Sequence, residues 1–489
     1  MPPARSPEQH VFSERFDRFC QQHIRQRARG IDKSGAVPRD VWQALVDVGY
    51  LGLFHPVEVG GTAADGITIG LAMESLAKAC GSTFWAVSIS TALCGKMIHE
   101  LCTEEHHRVW LGPIVRGEKI GCFAASEDGP GSDPGAYRTS LRSTPSGWVL
   151  RGRKSRVSNA VTADVAVVLA RQDSTANAGL CYVVVDLKRP GIQRSEIPKL
   201  GLRGMSWGVL EFDDVVIPHQ DVILNASMDK ILASVEWGQL LQTFCAIGLA
   251  AASLEASLSY AAERTAFGRP IGHLPVVHGR LADVRAELDA ARLLALDASR
   301  VKGEGEAARE LVVMAKIYAT EMAVRAADVA MRTFGGWGFS EQHDVERFYR
   351  DSLANVPAGL PTDRLREFLA CGLVGVDPWT YPPFDWLEPA GLSVTGDRWT
   401  FFQERGDEAA HAADLAIVEA SDSPELVSSP PLDADLLPSP ATVLLPSLGA
   451  HGSARVAVLA RGVAERARGA GTRLLAGVWT AIDGWGRAE

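Results

Sequence analysis

The segment Phe123-Ala-Ala-Ser-Glu-Asp-Gly-Pro-Gly-Ser-Asp133 is the most informative stretch of this chain, because it joins a short apolar strand to a turn rich in glycine and proline. The Gly129-Pro-Gly131 run predicts a tight bend at which backbone N–H groups come close to a ligand. Consecutive N–H groups, together with the hydroxyls of Ser126 and Ser132, make a good seat for a phosphate. On these residues alone, the segment is either a phosphate-binding turn or an ordinary hairpin turn.

Four further motifs decide between these readings. They are Lys154-Ser-Arg-Val-Ser158, Leu200-Gly-Leu-Arg-Gly-Met-Ser206 with Leu210-Glu-Phe-Asp-Asp-Val-Val-Ile-Pro218, Arg264-Thr-Ala-Phe-Gly-Arg-Pro-Ile271, and Phe334-Gly-Gly-Trp-Gly-Phe339 followed by Glu346-Arg-Phe-Tyr-Arg-Asp351. With the first segment, they resemble in their order the diagnostic motifs of the acyl-CoA dehydrogenase superfamily of flavoproteins. Any one of them is weak evidence, whereas five in the same order are strong, and they cover roughly residues 10 to 375.

The bulk composition limits the classes of function. The chain has 489 residues, of which 46% are hydrophobic and 22% charged, as in a soluble globular protein of roughly three or four domains. A net charge of −10 gives nucleic-acid binding no support. The sequence has neither an apolar signal region at its N-terminus nor a long uncharged apolar run, so we expect neither secretion nor a membrane span.

The cysteines and histidines indicate neither disulfides nor a metal. The eight cysteines are scattered without a CxxC pair, which favours buried free thiols in a reducing cytoplasm. The run Glu104-Glu-His-His107 begins an amphipathic helix, so we expect a solvated face there and no metal site.

The period of the hydrophobic residues divides the chain into regions. Residues 1–120 follow helical spacing and predict an N-terminal all-α domain. Residues 121–220 alternate with a period of two and predict a compact antiparallel β-domain. Residues 221–375 return to helical spacing, and three long amphipathic stretches with a fourth helix after Arg350 predict a four-helix bundle. This α+β multidomain order is the arrangement of the acyl-CoA dehydrogenase fold.

Residues 376–489 fit no part of that fold. The linker Val376-Asp-Pro-Trp-Thr-Tyr-Pro-Pro-Phe-Asp385 is rich in proline and aromatic residues, whereas Asp414-Leu-Ala-Ile-Val-Glu419 and Thr442-Val-Leu-Leu-Pro-Ser-Leu-Gly449 have the composition of buried strands. We therefore expect an α/β extension. It faintly resembles a fragment of a family III CoA-transferase domain, is too short for an active transferase, and is expected to serve packing or docking.

The resemblance implies an FAD between the β-domain and the C-terminal bundle. Ala125 and Ser126 would bond the polar edge of the flavin ring, Ser158 would stand on its N5 side, and Ser132 would touch the pyrophosphate or the substrate's pantetheine arm. A neighbouring subunit would complete the site, which implies a homodimer or homotetramer. The residues that it would supply are Arg264, whose planar cation suits a pyrophosphate, Phe267, Arg332, Gly335 and Gly336.

Arg156 is a first departure from the family, which usually has a tryptophan over one flavin face at this position. An arginine beside the ring would stabilise an anionic reduced flavin or a negatively charged substrate group. Alternatively, its side chain points to solvent.

The larger departure concerns the glutamate base that takes the α-proton of the acyl thioester in this family. It usually precedes a Gly-Thr pair, about eight residues after an Arg-Asp pair. Here Arg350-Asp351 is followed by Ser-Leu-Ala-Asn-Val-Pro-Ala-Gly-Leu-Pro-Thr, so Ala358 or Gly359 stands in its place. A minority of the family carries the base on the long helix, where this chain has Gly238.

Glu236, two residues before Gly238, matches an acidic substrate-contacting position of the family and is the candidate for a substitute base. Gln239 is expected to contact the substrate as well.

Three functions stay open. The chain oxidises an acyl thioester of CoA or acyl carrier protein in a polyketide or nonribosomal peptide pathway, with another base or with a hydroxyacyl or decarboxylating substrate. Alternatively, it is a flavin monooxygenase of the same superfamily, or a scaffold without activity.

Overall fold

The computed structural model describes residues 5–129, 131, 136–172, 179–224 and 228–375. The predicted extension at 376–489 and the predicted contact residue Ser132 lie outside the described residues.

The N-terminal region is helical, as its hydrophobic period predicts. Its α-helices are α1 (Pro7–Phe19), α2 (Ala28–Ser34), α3 (Arg39–Asp47), α4 (Gly66–Ala79), α5 (Gly81–Ser88), α6 (Lys96–Leu101), α7 (Glu104–His106) and α8 (Gly112–Val115). Side chains cap the two longest: Ser6 and Gln9 form a capping box at α1, and the Asp65 carboxylate accepts from the Thr68 N–H at α4. A π-helical turn, Ile89–Gly95, joins α5 to α6.

The central region is an eight-stranded sheet. Its strands are β1 (Gly121–Ala124), β2 (Ser140–Thr144), β3 (Gly147–Ser158), β4 (Val165–Gln172), β5 (Leu180–Asp186), β6 (Ile192–Glu196), β7 (Trp207–Ile217) and β8 (Val222–Ile223), in the order β6-β7-β3-β2-β4-β5-β8 with β1 beside β4. The pairings are antiparallel as expected, except that β1 and β2 each run parallel to β4. Strands β1 and β2 therefore run in the same direction.

The C-terminal region contains the three expected long helices, α9 (Met228–Glu263), α10 (Pro275–Gly303) and α11 (Arg309–Phe334). The short hairpin β9 (Thr265–Ala266) and β10 (Arg269–Pro270) separates the first two. The expected fourth helix is instead divided, since Arg350 lies inside α12 (Val345–Leu353) and a loop leads from there to α13 (Thr362–Val374). The loop falls at Pro357 and Pro361, which do not continue a helix.

Helix α9 lies at the centre of the bundle. Its stretch Val235–Glu263 is long and apolar enough to cross a membrane by length and composition, but 67% of its most apolar window is buried inside the fold, as in the core helix of a globular domain. Phe244 and Ile247 on this helix are fully buried and belong to the main hydrophobic core, whereas the interior of the sheet has a core of its own. The eight cysteines are free thiols, as expected.

Candidate functional site

A buried lysine holds the turn that follows β1. The side chain of Lys154 on β3 is fully buried, and its Nζ donates to the carbonyl oxygen of Ala125 and to Oε1 of Glu127, each at 2.8 Å. The backbone N–H groups of Arg138 and Thr139 donate to the two carboxylate oxygens of Glu127 at 2.7 and 2.9 Å. The turn predicted to seat a phosphate is therefore fixed from both ends.

The charges of this pair support each other. Burial lowers the pKa of Lys154 to about 8, and the neighbouring Glu127 carboxylate limits that fall. Burial also acts to raise the pKa of Glu127, but the Lys154 charge and the hydrogen bonds outweigh it, so this pKa lies below its ordinary value. Lys154 and Glu127 therefore form an ion pair at neutral pH.

A β-bulge in β3 interrupts the usual alternation of buried and exposed side chains. The register against β7 shifts between Lys154 and Val157, and Arg156 has a φ of 59°, in the left-handed region. Lys154 and Ser155 are both buried as a result, while Arg156 is exposed. The N–H of Ser155 donates to the carbonyl oxygen of Ser126 at 2.9 Å, which joins the bulge to the turn.

Arg156 folds over the turn. Its Nη2 donates to the carbonyl oxygen of Glu127. A Cβ built on Gly131 would lie 3.2 Å from this Nη2 and 3.6 Å from Oγ of Ser126, so guanidinium, hydroxyl and turn glycine meet at one place. The arginine is therefore exposed and yet bonded to the turn, and its position beside the flavin ring stays a prediction. Ser158 ends β3 opposite Trp207 of β7 and is half-buried.

A second group of predicted residues lines an open cavity of about 650 Å³. Arg264, Gly335 and Gly336 all contribute to its wall, so the structure brings together two motifs that lie far apart in sequence. A Cβ on either glycine would meet no atom within 4 Å, and Gly335 has a φ of 60°. The cavity thus combines a cation with exposed backbone, and stacking of Tyr260 on Phe334, with ring centroids 4.0 Å apart, forms its floor.

Two predicted residues lie outside this cavity. Phe267 stands at the tip of the β9–β10 hairpin with 90% of its surface exposed. Arg332 does not reach the lining residues, because its Nε donates to Oδ2 of Asp328 at 2.6 Å on the exposed face of α11. The structure therefore brings Arg264, Gly335 and Gly336 together, whereas Phe267 and Arg332 lie outside this cavity; the cofactor role of all five stays a prediction.

Glu236 is buried on α9 between two cations. The Nζ of Lys302 donates to its Oε2 at 2.7 Å, and Nε of Arg309 to its Oε1 at 3.4 Å. Both carboxylate oxygens are engaged, so this geometry favours an anchoring role over proton transfer; the role of substitute base stays a prediction. Gln239 follows one turn later, also buried. A Cβ on Gly238 would lie 3.3 Å from the Leu93 side chain, so a larger residue at this position would make a tight contact.

The loop before α13, which contains Ala358 and Gly359, is held by a second buried lysine. The Nζ of Lys316 donates to the carbonyl oxygens of Ala358, at 2.8 Å, and of Leu360. Burial lowers the pKa of Lys316 to about 7. Between these carbonyls, Gly359 has a φ of 62°, and a Cβ there would lie only 2.8 Å from Nε2 of Gln242. The carboxamide of Gln242 thus occupies the space that a side chain at 359 would need.

Sequence reasoning missed four residues of the site: Glu127, Lys154, Gln242 and Lys316. Lys154 begins a motif quoted above and had a sequence signal, whereas Lys316 sits in an ordinary helical stripe. His106 also differs from its expected solvated position, since it is buried and its Nε2 lies 3.2 Å from Oδ1 of Asp221. Within the described ranges, no three histidine, cysteine or acidic residues gather as metal ligands.

Comparison with known families extends the resemblance over the whole described fold. The profiles of the acyl-CoA dehydrogenase N-terminal, middle and C-terminal domains match residues 6–118, 122–215 and 228–372. These boundaries agree closely with the helical, β and helical regions of the structure.

Individual relatives give the same result. The chain is 33% identical to the mitochondrial short-chain specific acyl-CoA dehydrogenase of Homo sapiens over 338 residues, which is 68% of this chain and 82% of that protein. It is 30% identical to the 3-(aryl)acrylate reductase of Clostridium sporogenes over 70% of this chain and 93% of that protein. The solved structure of glutaryl-CoA dehydrogenase from Mycobacterium smegmatis superposes with a TM-score of 0.72, at 28% identity, over 76% of this chain and 96% of that one.

Proposed function

Because this chain belongs to the acyl-CoA dehydrogenase family, we propose that it is an FAD-dependent oxidoreductase that acts on an acyl thioester without the family's usual base. The observation that carries the proposal is the site itself: the turn for the flavin is built and clamped, whereas the position of the base holds Gly359 covered by a carboxamide. These contacts support a cofactor site like that of the family combined with a different acid–base arrangement.

The residues at the turn fit FAD chemically. Its polar ring edge and its pyrophosphate require N–H donors, hydroxyls and cations. The turn offers the Ser126 hydroxyl beside Gly131 and the Arg156 guanidinium, on a backbone that Lys154 holds in place. Bound there, FAD would supply the hydride acceptor for oxidation of the acyl group. Arg156 adds a positive charge near the cofactor, which favours an anionic reduced flavin or an acidic substrate group.

The cavity at Arg264 fits the phosphate end of a second cofactor. Its lining residues all come from residues 260–340 of the chain, which follow the central sheet and do not include the turn after β1. A guanidinium beside two glycines whose backbone is open suits a pyrophosphate held by N–H groups. We therefore propose a homodimer, or a dimer of dimers, in which this cavity and the exposed Phe267 complete the cofactor site of a neighbouring copy.

We assign the substrate contacts to α9. Glu236 is held there by Lys302 and Arg309, and Gln239 lies one turn further along the same face of the helix. Neither Ala358 nor Gly359 can take the α-proton. The proposed substrate is therefore either a decarboxylating thioester, which loses carbon dioxide in place of the α-proton, or a hydroxyacyl thioester, whose proton would pass to another base or to solvent; it is carried by CoA or by an acyl carrier protein. Such acyl groups arise in biosynthetic pathways that build polyketides or nonribosomal peptides, and we place the enzyme in the cytoplasm.

The absorbance of the bound flavin tests this function. We expect the purified protein to carry FAD, and one thioester of an anaerobic panel of acyl-CoA and acyl-carrier substrates to bleach its absorbance. Failure of the protein to bind FAD, even after reconstitution, would contradict the proposal and leave the scaffold role.

A flavin monooxygenase is the second candidate, because that reaction needs no glutamate at the position where Ala358 and Gly359 stand. In that case no thioester would bleach the flavin, and product would form only when a reductase and oxygen are both supplied. The same preparation therefore separates the two activities.

A further inference from the structure

The buried face of α9 carries two carboxamides whose oxygens lack a hydrogen-bond partner among the described residues, and one of them lies beside Gly359. Gln239 and Gln242 are each more than nine-tenths buried, with 6% of their surface exposed. Within the described part of the chain, Oε1 of neither side chain has a hydrogen-bond partner. Residues three apart lie on the same face of a helix, so both amides lie on one face of α9.

Gln242 lies beside Gly359 of the loop before α13. Its Nε2 and Oε1 lie 2.8 and 3.4 Å from the position of a Cβ on Gly359. That is the position at which the family's glutamate meets the α-carbon of the acyl group. The amide therefore lies beside the reacting part of the substrate, at a place where the sequence offers no carboxylate.

Moving this loop away from the Gln242 amide would break hydrogen bonds that hold it in place. Lys316 bonds the carbonyl oxygens on both sides of Gly359, and the left-handed φ of 62° at this residue favours glycine. The position of Gly359 against Gln242 is therefore built into the fold, and a bound acyl group has to meet the carboxamide as it stands.

An alkyl chain is a poor partner for this surface. A buried carboxamide that faces only methylene groups loses the water that it bonded before and gains nothing in return. A hydroxyl both donates and accepts a hydrogen bond, so it pairs with either end of a carboxamide. We propose that Gln239 and Gln242 are specificity-determining residues, which select an acyl group bearing a hydroxyl near the thioester. This inference rests on the proposed function, because it takes the acyl thioester as given.

Binding measured by calorimetry on the FAD-loaded full chain tests the inference without any turnover. The probes are the 3-hydroxybutyryl and butyryl thioesters of phosphopantetheine, the arm that CoA and acyl carrier protein share. We expect the wild type to bind the hydroxylated thioester at least about tenfold more tightly, the size of one net hydrogen bond.

Gln242→Leu should abolish this preference by weakening the hydroxylated and strengthening the alkyl thioester. Thr243→Val is the matched control, because the Thr243 hydroxyl is buried on the same helix but donates to the carbonyl oxygen of Gln239 at 2.8 Å. This control should keep the preference. Gln242→Met replaces Gln242→Leu if the latter lowers the melting temperature.

The outcomes separate the inference from its premise. A wild type that binds both thioesters equally, or the butyryl thioester more tightly, overturns the hydroxyl preference and leaves the proposed function in place. An unchanged preference in Gln242→Leu overturns the role of Gln242. Failure of either thioester to bind at all overturns the proposed function, and the inference with it.

Discussion

Replacement of Lys154 by methionine tests whether the turn is held by its buried ion pair. Methionine keeps most of the volume and the unbranched shape of the side chain but removes the ammonium. Glu127 then keeps its two backbone N–H donors at 2.7 and 2.9 Å, and the carbonyl oxygen of Ala125 loses its partner. The carboxylate is left with 12% of its side chain exposed and no counter-ion at 2.8 Å.

The magnitude follows from the burial of both partners. Removal of one partner from a buried ion pair costs about 3–5 kcal/mol of stability. The remaining N–H bonds and the slight exposure of Glu127 place the expected loss at the lower end, about 3 kcal/mol. Arg151→Met is the matched control on the same strand, since Arg151 pairs with Asp214 at 3.9 Å and both are exposed. A surface pair of this kind is worth about 0–1 kcal/mol.

Urea unfolding followed by fluorescence measures both variants, and titration of the apoprotein with FAD measures the effect on the turn. We expect Lys154→Met to lower the unfolding midpoint and weaken FAD binding, and Arg151→Met to change neither. In the double variant Lys154→Met/Glu127→Gln, the losses should not add, because no carboxylate is left unpaired. Equal losses in Lys154→Met and Arg151→Met, or simple additivity in the double variant, would refute the clamp.

Three other variants test the rest of the site. Burial sets the pKa of Lys316 to about 7, below that of the unfolded chain, so the unfolded state binds more protons above this pH and the folded state gains stability as pH rises. The stability difference between wild type and Lys316→Met should therefore grow by about 1 kcal/mol from pH 7 to 8, measured by urea midpoints; a constant difference contradicts the buried ammonium. Gln242→Glu places a carboxylate at the family's base position beside Gly359, and butyryl thioester should bleach its flavin at least about 100-fold faster than in wild type; equal rates would count against that placement. Arg264→Gln should weaken FAD binding about tenfold or more through the lost phosphate contact, whereas Arg325→Gln, an exposed arginine of α11 paired with Glu287, should not; equal effects would remove Arg264 from the cofactor site.

The fold follows from the sequence because its elements are encoded by neighbouring residues, and the motifs proposed to bind the cofactor are local as well. The period of the hydrophobic residues predicts the helical and β regions, and motifs such as Arg264-Thr-Ala-Phe-Gly268 carry their own turn chemistry. The parallel pairings of β1 and β2 with β4 were not predicted, since they depend on how the chain returns to the sheet. Register between distant strands is a tertiary property.

The contacts around Gly359 could not be predicted from the sequence, because they too are tertiary. Gln242 and Gly359 lie more than a hundred positions apart, and their contact depends on the packing of α9 against the loop before α13. Lys316 reads as one more residue of an amphipathic helix, and only its two carbonyl partners show that it supports that loop. A lysine that bonds backbone oxygens leaves no complementary charge in the sequence by which to find it.

The two buried lysines perform different tasks for this reason. Lys154 faces a carboxylate, so its charge contributes to holding the flavin turn, and neutralisation above pH 8 would weaken the clamp. Lys316 faces only carbonyl oxygens, and a neutral amine still has two N–H groups for them. The loop beside Gly359 is therefore held in either protonation state. The half of the site proposed for the cofactor depends on an ion pair, whereas the half proposed for the acyl group is fixed by hydrogen bonds that do not require a charge. This division is consistent with a site that recognises its substrate by a carboxamide and has given up the carboxylate.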